Sequence, residues 1–282
     1  MRNRLFQDSK FRRTLVSGTL LTALTLASSA FAAVGFREAQ AADEGSKPLS
    51  IFLWYPTEAN AAPMRAGSGF QNVAVNGPIK GNNLPLIVLS HGSSSSPFNH
   101  IDLAMALAEA GFVVAAPVHT GDNYADSSDA GFRRALLNRP RHMIIAINYV
   151  LQQWPEHTRM DRGRIGVSGF SLGGLTALTV AGGTPEFSRI VRVPVQLWRG
   201  SADENVPDEW NTALVRRELP TPPEEHVVPN AGHFVFMTAC NETLAKQAPE
   251  ICIDPPGVDR VAFHRNFNRA VVAFFRTHVA RG

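Results

Sequence analysis

In Gly169-Phe170-Ser171-Leu172-Gly173, residue type and spacing come nearest to dictating a reaction. The segment fits G-x-S-x-G, an apolar run from Arg164 to Ser168 precedes it as a strand, and a small-residue helix pattern follows to Ala181. A turn this sharp forces strained backbone angles on the serine, and a side chain two residues to either side would collide. Glycine at 169 and 173 meets that demand. The turn would leave the Ser171 hydroxyl clear at the strand's C-terminal end, with unpaired N–H groups of the helix N-terminus beside it to receive an anion. The spacing predicts a nucleophile elbow.

A serine hydroxyl is a weak nucleophile at neutral pH, so it needs a base, and the base needs an orienting partner. For an elbow serine these follow in the order acid, then histidine. Arg199-Gly200-Ser201-Ala202-Asp203-Glu204-Asn205-Val206-Pro207 ends a strand and offers Asp203 as orienter, with Glu204 and Asp208 as rivals. Pro229-Asn230-Ala231-Gly232-His233-Phe234 ends the next and offers His233 as base, since His226 lies inside its strand and His264 on the last helix. His91, His100, His119, His142, His157 and His278 read as structural or surface residues, too scattered for a metal site. The developing oxyanion needs two fixed donors. Leu172 N–H follows the nucleophile, and Ser93 N–H is the second candidate because His91-Gly92 precedes it as a His-Gly turn after a strand.

The elements that must position these residues alternate along the chain. Residues 34–40 and Leu49–Tyr55 read as an antiparallel hairpin at a sheet edge, and residues 57–83, rich in Ala, Gly, Asn and Pro, as a surface loop. Leu84–Ser90 and Phe112–Pro117 are continuous apolar runs, typical of strands covered on both faces. A helix carries Ile101, Ala104, Leu107 and Ala108, and a second opens near Pro140 with Ile144, Ile147 and Leu151 on one face. After the elbow come a strand at Val191–Trp198, a helix at Pro207–Leu219, a strand at His226–Val228 and a closing helix at Val258–Val279. The order predicts an α/β fold with a mainly parallel, doubly wound sheet behind an N-terminal antiparallel hairpin.

With 44% apolar and 18% charged residues, the 282-residue chain has the composition of an ordinary globular protein rather than a disordered or repetitive one. Its basic excess sits in residues 1–32, where Arg2, Arg4, Lys10, Arg12 and Arg13 face only Asp8, so nucleic-acid binding gains no support from net charge. That stretch has a basic start, an apolar run from Leu15 to Ala27 and Ala30-Phe31-Ala32, the pattern of a signal peptide on the general secretory route. The expected organisation is a signal peptide over 1–32 and one domain over 33–282, periplasmic or secreted, with no membrane anchor after cleavage. A cut at Ala39-Gln40-Ala41 would remove the first strand. In an oxidising compartment Cys240 and Cys252 read as a disulfide, worth roughly 3 kcal/mol in the chain-entropy model.

Trp54-Tyr55-Pro56-Thr57, Leu89-Ser90-His91-Gly92-Ser93, the elbow, Gly232-His233-Phe234 and the tail Ile251-Cys252-Ile253-Asp254-Pro255-Pro256-Gly257-Val258-Asp259-Arg260 together resemble bacterial dienelactone-hydrolase-like proteins related to platelet-activating-factor acetylhydrolases. The resemblance implies an α/β-hydrolase fold and a Ser171, Asp203, His233 triad acting on carboxylic esters; neither metal nor cofactor is expected to take part. Dienelactone hydrolases carry a cysteine nucleophile where this chain has Ser171, so lactone specificity does not carry over. The elbow is also similar to that of cutinase-like polyester hydrolases, although Leu172 stands where those usually carry Met. With no long apolar lid segment evident, small-molecule or lipid-like esters with short to moderate acyl groups are expected. Amide or peptide hydrolysis by the same triad and a non-catalytic binding module on a hydrolase scaffold are the rival readings.

Overall fold

The central strands form where the chain is apolar on both faces. In the computed structural model, which describes residues 33–183 and 190–280, every residue of β5 (Leu84–Ser90) and β6 (Val113–Pro117) is buried. The leader read over 1–32 lies outside the described residues. Ahead of these strands, β1 (Ala33–Ala41) and β2 (Leu49–Thr57) pair antiparallel from Ala33 opposite Thr57 to Ala41 opposite Leu49. Residues expected as surface loop contain a second hairpin, β3 (Ala62–Ala66) and β4 (Gly69–Val75). Because β4 pairs with β1, the first hairpin lies inside the sheet and not at its edge.

The chain continues through α1 (Ile101–Glu109), α2 (Arg133–Asn148), β7 (Met160–Gly169) and α3 (Leu172–Val180). It ends with β8 (Gln196–Gly200), α4 (Thr212–Glu218), β9 (Glu224–Val228), α5 (Glu242–Gln247), α6 (Pro249–Cys252) and α7 (Arg260–His278). The seven-stranded sheet runs β3-β4-β1-β2-β6-β5-β7, and β8-β9 form a separate parallel pair. This is the α/β architecture expected, with β6, β5 and β7 parallel and an antiparallel N-terminal part larger than one hairpin.

Period-two alternation sorts the sheet's side chains into two cores. Phe52, Trp54, Ile87, Leu89 and Val114 face α1 and α7, through Leu103, Leu107, Phe267 and Val271. Ile51, Leu53, Leu86, Val88 and Val113 face α2, through Met143 and Ala146. Helices thus cover both faces, which explains why β5 and β6 carry no polar face.

Several boundaries differ from expectation for local reasons. β8 begins at Gln196 rather than Val191, and Pro194, which has no N–H to give a ladder, lies in the omitted part. The helix expected over Pro207–Leu219 is broken into a 3₁₀ turn at Asp208–Trp210 followed by α4. α2 opens at Arg133, so Pro140 sits within it rather than at its start. Cys240 and Cys252 are disulfide-bonded, joining the segments that carry α5 and α6. Just beyond, Arg260 grips both Asp254 oxygens at 2.8 Å and the Ile251 carbonyl at 2.9 Å, which fixes the entry to α7.

Candidate active site

Ser171 stands between the end of β7 and the first residue of α3 with φ 54° and ψ −123°, the strained conformation its position demands. A Cβ at Gly169 would lie 2.0 Å from the Gly173 carbonyl oxygen, and one at Gly173 would lie 2.1 Å from the Ser90 carbonyl oxygen. Both obstacles are backbone and cannot swing away. Gly173→Ala is therefore expected to destabilise the fold by about 3 kcal/mol or more and to lower Tm by about 6–12 °C in a thermal melt. An unchanged Tm would refute the steric account of the elbow.

Asp203 follows β8 and His233 follows β9, and backbone bonds lace their loops together. Ser201 N–H donates to the Val228 carbonyl at 2.9 Å, and Ala202 N–H to the Ala231 carbonyl at 3.0 Å. His233 Nδ1 lies 2.8 Å from Asp203 Oδ2, with both side chains 9% exposed, and Val206 N–H donates to Asp203 Oδ1 at 2.8 Å. A carboxylate can only accept, so Nδ1 carries the proton and Nε2 is left able to take one. The rivals lie elsewhere: Glu204 is exposed, and Asp208 bonds Thr212 and Arg216 and approaches Arg199 at 3.4 Å. The His233 ring packs 4.7 Å, centroid to centroid, from Phe170, the neighbour of Ser171.

The turn carrying His233 is itself clamped. His264, expected only as part of the last helix, has Nδ1 on Asp102 and Nε2 on the Val235 carbonyl, two residues past His233. Burial alone would raise the Asp102 carboxyl, but bonds from His264, Thr238 and Asn268 hold it well below the usual carboxylate range.

Beside the elbow lies the loop after β5. A Cβ on Gly92 would sit 3.2 Å from the Phe170 ring and 3.7 Å from Ser171 Cβ, so this loop packs against the elbow. Among the described residues, neither Ser93 N–H nor Leu172 N–H has an intramolecular acceptor. His91, His100, His119 and His142 are all buried. His91 Nε2 accepts the His119 N–H at 3.2 Å, and burial and then the Arg139 guanidinium push both rings well below the usual histidine range. Burial lowers His100 and His142 to about 4. His119 lies within hydrogen-bonding distance of Ser90 Oγ, at 2.8 Å, and of His142 Nδ1, at 3.3 Å. Among the described residues, no group of three or more His, Cys, Asp or Glu side chains is arranged to hold a metal ion.

Sequence reading missed the centre of this polar region. Arg139 and Asp122 form an ion pair at 2.7 Å, each side chain 1% exposed. They are 17 residues apart, and no local pattern marks either one. The surest available signal was Asp122 in a loop beyond a buried strand's C-terminal end, the place where ligands and site residues collect in such sheets.

Ser171, Asp203 and His233 line one cavity of about 370 Å³, whose other walls include Leu175, Leu178, Val195, Leu197, Val215 and Phe274. The cavity lies between the last strand of the large sheet and the β8-β9 pair.

A serine on a sharp strand-to-helix turn at the end of a parallel β-strand, with an Asp–His pair on later strand-end loops, is the architecture of an α/β hydrolase. The chain belongs to the dienelactone hydrolase family, whose model matches residues 74–216, about half its length. Among solved structures, it is similar to a ferulic acid esterase from Streptomyces cinnamoneus (TM-score 0.69, 19% identity, covering 88% of this chain and 90% of that one). A dienelactone hydrolase-like promiscuous phosphotriesterase, P91, from metagenomic libraries aligns with TM-score 0.60 and 19% identity over 87% of this chain and 99% of its own. At such identities the likeness carries the fold and not the substrate. No curated protein matches the sequence. Family membership supports ester hydrolysis as the class of reaction.

Proposed function

We propose that this protein is an exported serine esterase that cleaves carboxylic esters with apolar acyl groups of short to moderate length. The observation that carries the reading is the Asp203–His233 hydrogen bond, made in the same cavity as a serine held at φ 54°. Ser171 Oγ attacks the acyl carbon as His233 Nε2 takes its proton, and the carbonyl oxygen becomes an oxyanion held by the Leu172 and Ser93 N–H groups. The intermediate collapses, the carbon–oxygen bond to the alcohol breaks, and His233 returns the proton to the departing alkoxide. Water, deprotonated by His233, then attacks the acyl carbon, the bond to Ser171 Oγ breaks, and His233 returns the proton to that oxygen as the acid leaves. Asp203 keeps the imidazole in the tautomer that both half-reactions need.

A cavity near the lower end of small-molecule sites, roughly 300–1,000 Å³, favours compact acyl groups over fats, and its apolar walls favour alkyl or aryl acids over charged ones. On p-nitrophenyl esters kcat/KM is expected to rise about fourfold per added methylene from acetate. It should peak between butanoate and octanoate and fall at palmitate. A flat profile, or one rising to palmitate, would refute this assignment of the acyl site. A fluorophosphonate probe should add one label per chain, found by peptide mass analysis on Ser171.

Export, with cleavage after Ala32, belongs to the same proposal. A cut after Ala41 would remove β1, which pairs with both β2 and β4, so the sheet favours the earlier site. The Cys240–Cys252 disulfide suits an oxidising compartment.

A further inference from the structure

An ion pair taken out of water is stable only when nearly every remaining donor and acceptor of both groups is used. At Arg139–Asp122 those remaining bonds all lead to the elements around Ser171. Arg139 Nη2 donates to the His91 carbonyl and, at 3.3 Å, to Ser90 Oγ, both at the end of β5. Its Nε donates to Thr176 Oγ1 at 3.3 Å, and Thr176 Oγ1 donates to the Leu172 carbonyl at 2.8 Å, so the guanidinium also holds the first turns of α3. Asp122 accepts Arg139 on Oδ2, while its Oδ1 accepts the Ser93 hydroxyl at 2.8 Å and the Ser94 N–H at 2.7 Å. Ser94 has φ 52°, a left-handed conformation uncommon for serine, and the bond from its own N–H to Asp122 ties down the turn that carries it.

Two buried side chains thus grip, on one side, the helix whose first N–H is Leu172 and, on the other, the loop that bears the Ser93 N–H. We propose that Asp122 and Arg139 are positioning residues for the oxyanion hole, fixing the separation of its two donors. The inference rests on the esterase reading. A hole built from loop and helix N–H groups stabilises the transition state only when both are preorganised at hydrogen-bond distance from the developing charge.

The test compares an ester with its thionoester, whose carbonyl sulfur is larger and a poorer acceptor and therefore profits little from the hole. Breaking the pair on one side would strand a buried charge, so both are replaced together, as Asp122→Leu with Arg139→Met, a swap that buried pairs often tolerate. Loss of one well-placed donor lowers kcat by about 10²-fold. The double variant should therefore show such a fall on the ester with KM unchanged within twofold, and a smaller fall on the thionoester, so that the ester-to-thionoester ratio drops about tenfold. Ser93→Ala, which keeps the ion pair and removes one bond to Asp122, should move the ratio in the same direction by a smaller factor, and it decides the question if the double variant does not fold. Equal losses on both substrates, or a rise in KM alone, would overturn the proposal and leave the pair a purely structural role. A wild type without turnover of either substrate would overturn the esterase reading. Amide exchange in the same proteins would then judge the loop-holding role by itself, unchanged exchange at Ser93 and Ser94 refuting it.

Discussion

Ser171→Ala is expected to lower kcat for p-nitrophenyl butanoate by about 10⁵- to 10⁶-fold while moving Tm by no more than a degree or two. The size follows from what the hydroxyl alone supplies. His233 and Asp203 have no nucleophile to activate once it is gone, and the two N–H donors can stabilise only the small fraction of reaction that proceeds by direct attack of water. Alanine makes a clean probe because it is held in the same strained backbone, φ 54°, and meets the same neighbours, so the comparison isolates one oxygen atom. Steady-state rates beside circular dichroism melts check both halves. A variant retaining activity within tenfold of wild type, with fluorophosphonate labelling undiminished, would place the nucleophile elsewhere.

What made Ser171 legible in the sequence is that its constraint is local. Glycine at 169 and 173 is required by carbonyl oxygens about 2 Å from where a Cβ would sit, and that requirement is written into five consecutive residues. The strands β5 and β6 were legible for another local reason, since burial on both faces leaves no polar alternation to blur the apolar run. The pairing of Asp203 with His233 was legible because each stands just past a strand, where the sheet's geometry delivers residues to one edge.

The parts that sequence did not disclose depend on partners far along the chain. The β3-β4 hairpin contains Ala, Gly, Asn and Pro, and it becomes a sheet extension only because β4 finds the free edge of β1 at Gly35 and Phe36. Arg139 was hidden by its neighbour. Pro140 reads as a helix start, yet α2 runs through it, and the arginine before it turns inward to Asp122, Thr176 and the end of β5. His264 likewise reads as one residue of an amphipathic helix until Val235 and Asp102 are seen on its two nitrogens. In both cases the polar side chain bonds groups far away along the chain, and such contacts leave no spacing rule in the sequence.

The choice of Asp203 over its rivals can be settled by charge removal without change of shape. Asp203→Asn is expected to reduce kcat about 10⁴-fold, because an amide can present its NH₂ to Nδ1 and so drive the ring proton to Nε2, where the base must be free. The fold should survive, since Oδ1 can still accept the Val206 N–H. Asp208→Asn instead loosens ion pairs with Arg199 and Arg216 whose side chains are partly exposed, and solvent-accessible pairs contribute about 0–1 kcal/mol, so a small fall in Tm with activity within threefold is expected. Glu204→Gln, at an exposed carboxylate, should change neither. The pH dependence sharpens the comparison: in Asp203→Asn the residual rate should climb with hydroxide, which can replace the lost base, while the other two variants keep the wild-type profile. Should Asp203→Asn remain within tenfold of wild type while Asp208→Asn or Glu204→Gln collapses, the orienting acid would be reassigned, and the hydrogen bond at His233 Nδ1 would be a packing contact rather than the means by which the imidazole is held for proton transfer.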